Sequence, residues 1–127
     1  MALHNRLGQA GEKLACDYLV SRGYVVRDVN WRLNHLEVDI VAQEEQARVL
    51  HIVEVKTRSE NDDFDFMQTI TPKKIRNLVN AANGYVHHYN LDIDIQFDVM
   101  IVVKHQDDTM SIDFYPHAFE VPLYTYR

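Results

Sequence analysis

The sequence predicts an α/β domain in which a mixed β-sheet is flanked by helices. Two segments have apolar residues at helical spacing, and five shorter segments have the composition or alternation of strands. Their order along the chain is α-β-β-β-α-β-β. The third strand, second helix and fourth strand predict a crossover between parallel neighbours, which makes the sheet mixed. A chain of 127 residues holds one hydrophobic core, so we expect a single domain over residues 1–127.

The first helix is predicted from about His4 to Arg22. Apolar and small residues recur there every three or four positions and form one stripe. Gly23 follows, where a residue in the left-handed conformation commonly ends a helix. Tyr24–Val29 is rich in β-branched residues and predicts the first strand.

The second and third strands are predicted at Leu36–Gln43 and Val49–Thr57. The polar run between them is short enough for a hairpin. Folding the hairpin symmetrically about Gln46 and Ala47 pairs the two strands in one definite register. A slip of one residue would send one strand's side chains to the other face.

The second helix is predicted to begin at Thr71-Pro72, because Thr caps helices and Pro is favoured at the first helical position. Gly84 lies inside this helix and costs about 1 kcal/mol relative to Ala. Ile95–Val103 is nearly continuously apolar and predicts a central strand, with Met110–Tyr115 as a shorter partner. The buried stripe of the helix is expected to contain Ile75, Leu78, Val79, Ala82, Val86 and Tyr89.

Composition indicates a soluble protein of a reducing compartment, which we take to be the cytoplasm. No apolar stretch is long enough to cross a membrane, and the single Cys16 excludes an internal disulfide. The formal net charge is −6. Residues 61–127 contribute most of the excess, with 5 Lys and Arg against 10 Asp and Glu. This acidity disfavours a nucleic-acid partner and favours a protein partner, although carboxylates that bind a cation would account for part of it.

The predicted hairpin brings acidic side chains to one patch of the sheet. In the symmetric register Asp39 lies opposite Glu54, and Glu37 lies opposite Lys56. Opposed carboxylates destabilise a sheet unless a cation lies between them. Two carboxylates, the carbonyl of Val55 and water suit Mg²⁺ or Mn²⁺. Such an ion supports phosphodiester hydrolysis. The alternative is an ordinary polar sheet face in which Glu and Lys form a surface pair.

Several motifs occur together in a characteristic order: Gly8-x-x-Gly11-Glu12, Asn30-Trp31-Arg32, Glu37-Val38-Asp39, Val53-Glu54-Val55-Lys56-Thr57-Arg58, Phe97-Asp98-Val99 and His117-Ala118-Phe119. Taken in order, they resemble the small bacterial YraN-like family of uncharacterised proteins. That family is similar to Holliday-junction resolvases and restriction endonucleases of the PD-(D/E)xK fold. The resemblance therefore implies a restriction-endonuclease-like α/β fold and a metal-dependent DNA endonuclease, with branched or single-stranded DNA among its expected substrates.

Position by position, the resemblance implies that Asp39 and Glu54 are metal ligands and that Lys56 is the catalytic lysine. Glu12 matches an acid of the first helix that reaches the metal directly or through water, and Glu37 matches a further acid of the motif. The resemblance to resolvases also makes a homodimer an expectation. Fold and motif do not establish a substrate. The alternatives are a non-catalytic nucleic-acid-binding module and a protein-interaction module using the acidic half and the aromatic tail (Phe119, Leu123, Tyr124 and Tyr126).

Cations at the start of the second helix are not placed for helix stability. Lys73, Lys74 and Arg76 lie where the helix dipole disfavours positive charge. An anion bound at that end, such as a phosphate, would explain them. The alternative is a solvated helix end. With Arg32 and Arg58 they are our candidate contacts to the DNA backbone. Trp31 is expected to pack rather than to stack on a base, and the loop containing Phe64 and Phe66 is expected to be a solvated tip.

Overall fold

The computed structural model describes residues 2–63, 65, 68 and 70–119, with side chains from Arg6 onward. A five-stranded sheet in the order β1-β2-β3-β4-β5 carries helices on its faces. Only β3 and β4 are parallel, and every other neighbouring pair is antiparallel. The predicted α/β class and element order are confirmed. The elements are α1 (Ala2–Ser21), β1 (Tyr24–Leu33), β2 (Leu36–Glu44), β3 (Val49–Ser59), α2 (Pro72–His88), β4 (Asp94–Lys104) and β5 (Met110–Tyr115).

The two helices cover opposite faces of the sheet. Ala15 and Leu19 of α1 pack in one buried cluster with Val53, and Leu78 of α2 packs in a second cluster with Ile52. Because Ile52 and Val53 are consecutive on β3, they point to opposite sides. Burial of both faces explains the near-continuous apolar sequence of β4, which lies between β3 and β5 as predicted.

Local signals mark the helix ends as expected. Gly23 has φ +91° just after α1, and its N–H donates to the carbonyl of Val20 at 3.1 Å. At the start of α2 the Thr71 hydroxyl accepts the N–H of Lys74 at 3.1 Å, and Pro72 is the first helical residue. No helix within the described residues is long and apolar enough to cross a membrane.

The buried stripe of α2 differs from the prediction at its C-terminal end. Tyr85 is fully buried, whereas Tyr89 follows the helix and is 41% exposed. The prediction missed Tyr85 because burying a phenol requires distant partners for its hydroxyl. Here that hydroxyl donates to Asp28 at 2.7 Å and accepts from Arg27 at 3.0 Å. Both partners come from β1.

The first strand is longer than predicted and packs against α2. It continues to Leu33, which pairs with Leu36 across the turn to β2. Trp31 packs edge-on against Tyr85, with ring centroids 5.0 Å apart, which confirms the packing prediction. A Cβ on Gly84 would lie 2.4 Å from Cδ2 of Leu33. The absence of a side chain on this glycine therefore leaves room for the end of the Leu33 side chain of β1.

Candidate active site

The hairpin of β2 and β3 has the predicted register. Ile40 pairs with Val53 and Val41 with Ile52, so the next pair along the strands would be Asp39 and Glu54. At that point the N–H of Val55 donates to Oδ2 of Asp39 at 2.8 Å. The Asp39 carboxylate thus accepts a backbone N–H at the point where the hydrogen-bond ladder between β2 and β3 ends. This hydrogen bond holds the carboxylate against β3.

The two acids of this pair are poorly solvated. Glu54 is only 2% exposed, and Asp39 is half-buried. Burial, followed by the neighbouring charge of Glu54, raises the pKa of Asp39 to about 7, although the hydrogen bond from Val55 acts in the opposite direction. A carboxyl that resists ionisation beside a second acid marks a place where a cation would be stabilised.

Two ammonium groups meet on the same oxygen of Glu54. Nζ of Lys56 is 3.3 Å from Oε2, and Nζ of Lys74 is 2.9 Å from the same atom. Burial acts to lower the pKa of Lys74, but the contact with Glu54, together with the charges of Asp39 and Glu37, outweighs burial and raises the pKa above its ordinary value. The anion expected beside the N-terminus of α2 is therefore a side chain of the protein itself, the carboxylate of Glu54. The positive charges at the start of α2 indicated that an anion lies nearby, but the sequence could not identify Glu54 as the partner of Lys74.

The first helix approaches the same end of β3 closely. A Cβ on Gly11 would lie 2.0 Å from Oγ1 of Thr57, so only glycine fits the observed separation. The next residue, Glu12, lines a cavity of about 250 Å³ together with Val55 and Lys56. The charge of Glu12 also makes a small contribution to the raised pKa of Asp39. The helix acid thus lies near the pair, and its contact with a metal stays a prediction.

A larger polar cleft opens beside the acid pair. Its volume is about 380 Å³, and Lys56 and Lys74 line it together with Arg58. Asp63 and Asp65 also line this cleft, so its walls carry both signs of charge. Lys73 and Arg76 are exposed on α2 and do not line this cleft. Five cations were predicted to contact DNA. The structure brings Arg58 and Lys74 to this cleft, whereas Lys73, Arg76 and Arg32 do not line it.

Glu37 does not join the buried pair. It lies on the partly exposed start of β2, and its carboxylate is 3.2 Å from Arg32 of the neighbouring strand, its Cα partner. Glu37 thus has a cross-strand arginine as its partner, which was not predicted, and its place in the patch of three carboxylates stays a prediction. Glu37 still helps to raise the pKa of Lys74 and so lies at the rim of the site. Arg32, 71% exposed at its side chain, lies at the same rim.

The donor set suits a hard divalent ion. No group of three or more His, Cys, Asp or Glu side chains that could hold a metal ion occurs within the described residues. Asp39 and Glu54 supply two carboxylates, which is typical of Mg²⁺ bound with water and substrate oxygens, whereas zinc prefers His and Cys. The lysines both contact Oε2 of Glu54, the Val55 N–H donates to Oδ2 of Asp39, and the two carboxyl groups also share a side-chain hydrogen bond. A role for the Val55 carbonyl stays a prediction.

A second buried polar cluster was not predicted. Nδ1 of His51 is 2.6 Å from Oδ2 of Asp98, and both residues are at most 1% exposed. Oδ1 of Asp98 accepts from the Gln96 amide at 2.8 Å and from the N–H of His117 at 3.1 Å. The sequence feature that could have indicated this cluster is Asp98, an acidic residue within the otherwise apolar strand β4. These contacts tie β3, β4 and the segment after β5 together.

Several predicted features lie outside the described residues: Phe64, Phe66, Leu123, Tyr124 and Tyr126. Of the aromatic tail, Phe119 is described, and its ring stacks on Phe97 with centroids 5.1 Å apart. This residue contributes to the core rather than to an open docking surface.

Comparison with known proteins agrees with the motifs. The model of the uncharacterised protein family UPF0102 matches residues 11–102. A UPF0102 protein of Bacteroides fragilis is 42% identical over 98% of this chain and 100% of its own length. A UPF0102 protein of Flavobacterium psychrophilum is 41% identical over 94% of this chain and 98% of its own length. The chain therefore belongs to the UPF0102 family, the YraN-like family that its ordered motifs indicate.

Proposed function

We propose that this protein is a Mg²⁺- or Mn²⁺-dependent DNA endonuclease. The observation that carries the proposal is the pair of half-buried Asp39 and buried Glu54 with Lys56 beside it, at the edge of a polar cleft that Lys56 also lines. Asp39 and Glu54 would hold the ion. When bound, the ion polarises a phosphoryl oxygen and lowers the pKa of a coordinated water.

The remaining side chains have roles that follow from their positions. Lys56 lies within reach of Glu54 and lines both cavities, so its ammonium can orient the attacking water or stabilise charge on the phosphate. Glu12 lines the smaller cavity with Lys56 and can hold a water there. Arg58 and Lys74 border the larger cleft, where they would contact the DNA backbone.

The test is DNA cleavage measured over duplex, single-stranded, flapped and branched substrates with Mg²⁺ or Mn²⁺. We expect Glu54→Gln to abolish cleavage and Lys56→Met to slow it by about 100-fold or more. Glu45→Gln is the matched control, because Glu45 is an exposed glutamate in the turn of the same hairpin. Equal rates in all four proteins, or no cleavage by the wild type of any substrate, would refute the nuclease proposal.

One alternative is supported by a specific observation. The net charge is −6, and Asp63 and Asp65 line the cleft beside its cations, which favours a protein-binding module that retains the fold. Failure to bind any of these DNAs even at low salt would support that alternative. DNA binding without cleavage would instead support a non-catalytic nucleic-acid module. The homodimer expected from the resolvases remains part of the proposal, and light scattering with and without branched DNA tests it.

A further inference from the structure

Lys74 belongs to two parts of the site at once. Its ammonium is 2.9 Å from Oε2 of Glu54, and its side chain, 34% exposed, also lines the cleft with Lys56 and Arg58. The same charge therefore neutralises a carboxylate of the metal site and borders the space where a phosphate would lie. A fixed structural ion pair would require only the contact with Glu54 and not the position at the cleft.

We propose, on the basis of the function proposed above, that Lys74 is an exchangeable internal cation. In the metal-free protein its ammonium holds Glu54. When a divalent ion binds to Asp39 and Glu54, Lys74 leaves Glu54 and turns into the cleft, where it contacts a phosphate of the substrate. The substrate class that this favours is a polyphosphodiester, because the released charge faces the same cleft as Arg58.

Charge balance is the reason for the exchange. When both carboxyl groups of the metal-free site are ionised, Asp39 and Glu54 are matched by the two ammonium groups of Lys56 and Lys74. A divalent ion alone neutralises both acids and leaves both ammonium groups in surplus. Like charges at contact distance in a poorly solvated site repel strongly. Phosphates carry the negative charge that compensates this surplus.

Geometry decides which of the two lysines moves. Lys56 lies two residues from Glu54 on the same strand, so its side chain shares the face of Glu54 whatever its rotamer. Lys74 reaches Glu54 from the first turn of α2, through a flexible four-carbon chain. That turn is held by the Thr71 cap and Pro72, so the ammonium can swing without displacing the helix.

The exchange couples two binding events. Metal binding must displace Lys74 from Glu54, and the displaced lysine strengthens phosphate binding. Because coupling between two ligands is reciprocal, phosphate must also strengthen metal binding. A lysine that only neutralises Glu54, or only contacts DNA, does not produce this coupling.

The first measurement is calorimetry with Mn²⁺ alone on the wild type, Lys74→Gln, Lys73→Gln and Asp39→Asn. Lys73 is the matched control, because it is an exposed lysine on the same helical turn. We expect Lys74→Gln to bind Mn²⁺ about tenfold more tightly, since the competing ammonium is gone. Lys73→Gln is expected to change the affinity by about twofold or less, because solvent screens an exposed charge. Lys74→Met, also uncharged, replaces Lys74→Gln if the latter does not fold.

The second measurement is the affinity for a duplex oligonucleotide with Ca²⁺, which substitutes for the ion in binding, and with EDTA. We expect Lys74→Gln to weaken DNA binding about tenfold with Ca²⁺ and much less with EDTA. Lys73→Gln should weaken it equally in both conditions, as a simple backbone contact would.

The outcomes separate the exchange from the nuclease proposal. If Lys74→Gln matches Lys73→Gln in both measurements while Asp39→Asn loses Mn²⁺ binding, the exchange is refuted and the metal site stands. If the wild type binds no Mn²⁺, the metal site is refuted and the exchange with it. Tighter Mn²⁺ binding by Lys74→Gln together with a Ca²⁺-dependent loss of DNA binding supports the exchange.

Discussion

Replacing Asp39 by Asn should stabilise the metal-free protein at alkaline pH. The folded chain keeps this carboxyl beside buried Glu54 and raises its pKa to about 7 from its ordinary value of 3.8. Asn has nearly the same shape, its oxygen can accept the N–H of Val55, and its amide can donate to Glu54. The substitution therefore removes the charge conflict while preserving the hydrogen bond that ends the hairpin ladder.

The magnitude follows from linkage between protonation and folding. The folded-state pKa of Asp39 is raised, so the protonated carboxyl contributes stability that is fully present below pH 3.8 and is lost as pH rises through about 7. Each pH unit in that window costs about 1.4 kcal/mol. Between pH 5.5 and 8.5 the wild type should therefore lose roughly 2 kcal/mol that Asp39→Asn does not lose.

Urea unfolding in EDTA at these two pH values measures the effect. The free energy of unfolding of the wild type relative to Asp39→Asn should fall by that amount between the two pH values. Groups elsewhere titrate equally in both proteins and cancel in the comparison. Added Mn²⁺ should restore the wild type at pH 8.5 but not the variant. A difference between the two proteins that is the same at both pH values would refute the electrostatic reasoning.

Two further substitutions test how the site is held. Gly11→Ala should lower the free energy of unfolding in urea by about 1–3 kcal/mol, because its Cβ meets Thr57. Gly8→Ala is the control and should be neutral or stabilising, because there is open space around its Cβ. Equal effects of the two variants would contradict the close approach of α1 to β3. Asp98→Ala should cost about 3–5 kcal/mol, since it removes the buried carboxylate that contacts Nδ1 of His51 and accepts from Gln96 and His117. A loss under 1 kcal/mol by thermal or urea unfolding would show that this carboxylate is dispensable.

The secondary structure and the hairpin register could be predicted because their causes are local. Thr71 caps a helix through the N–H three residues on, and Gly23 ends one through its own backbone conformation. The register of β2 and β3 follows from the length of the turn between them. Asp39 and Glu54 could therefore be paired from their positions in the chain alone.

Contacts between elements distant in the chain could not be predicted. Tyr85 is buried because β1 supplies partners for its hydroxyl. The nearby ion pair of Arg32 and Glu37 was missed for another reason, because the first strand was predicted to end at Val29. Neither contact follows from the periodicity of apolar residues, which identifies the buried face of an element but not the residues that pack against it.

The sequence by itself determined the elements, their order, the paired acids and the lysine two residues after Glu54. Only the tertiary structure decided that Lys74 of α2 meets Glu54, that Gly11 brings Glu12 toward the pair, and that Lys73 and Arg76 do not line the cleft. The physical reason is that short-range hydrogen bonds and turn length govern the elements and the pairing of the two acids. The second depends on how two helices pack on opposite faces of one sheet, which many distant side chains determine together.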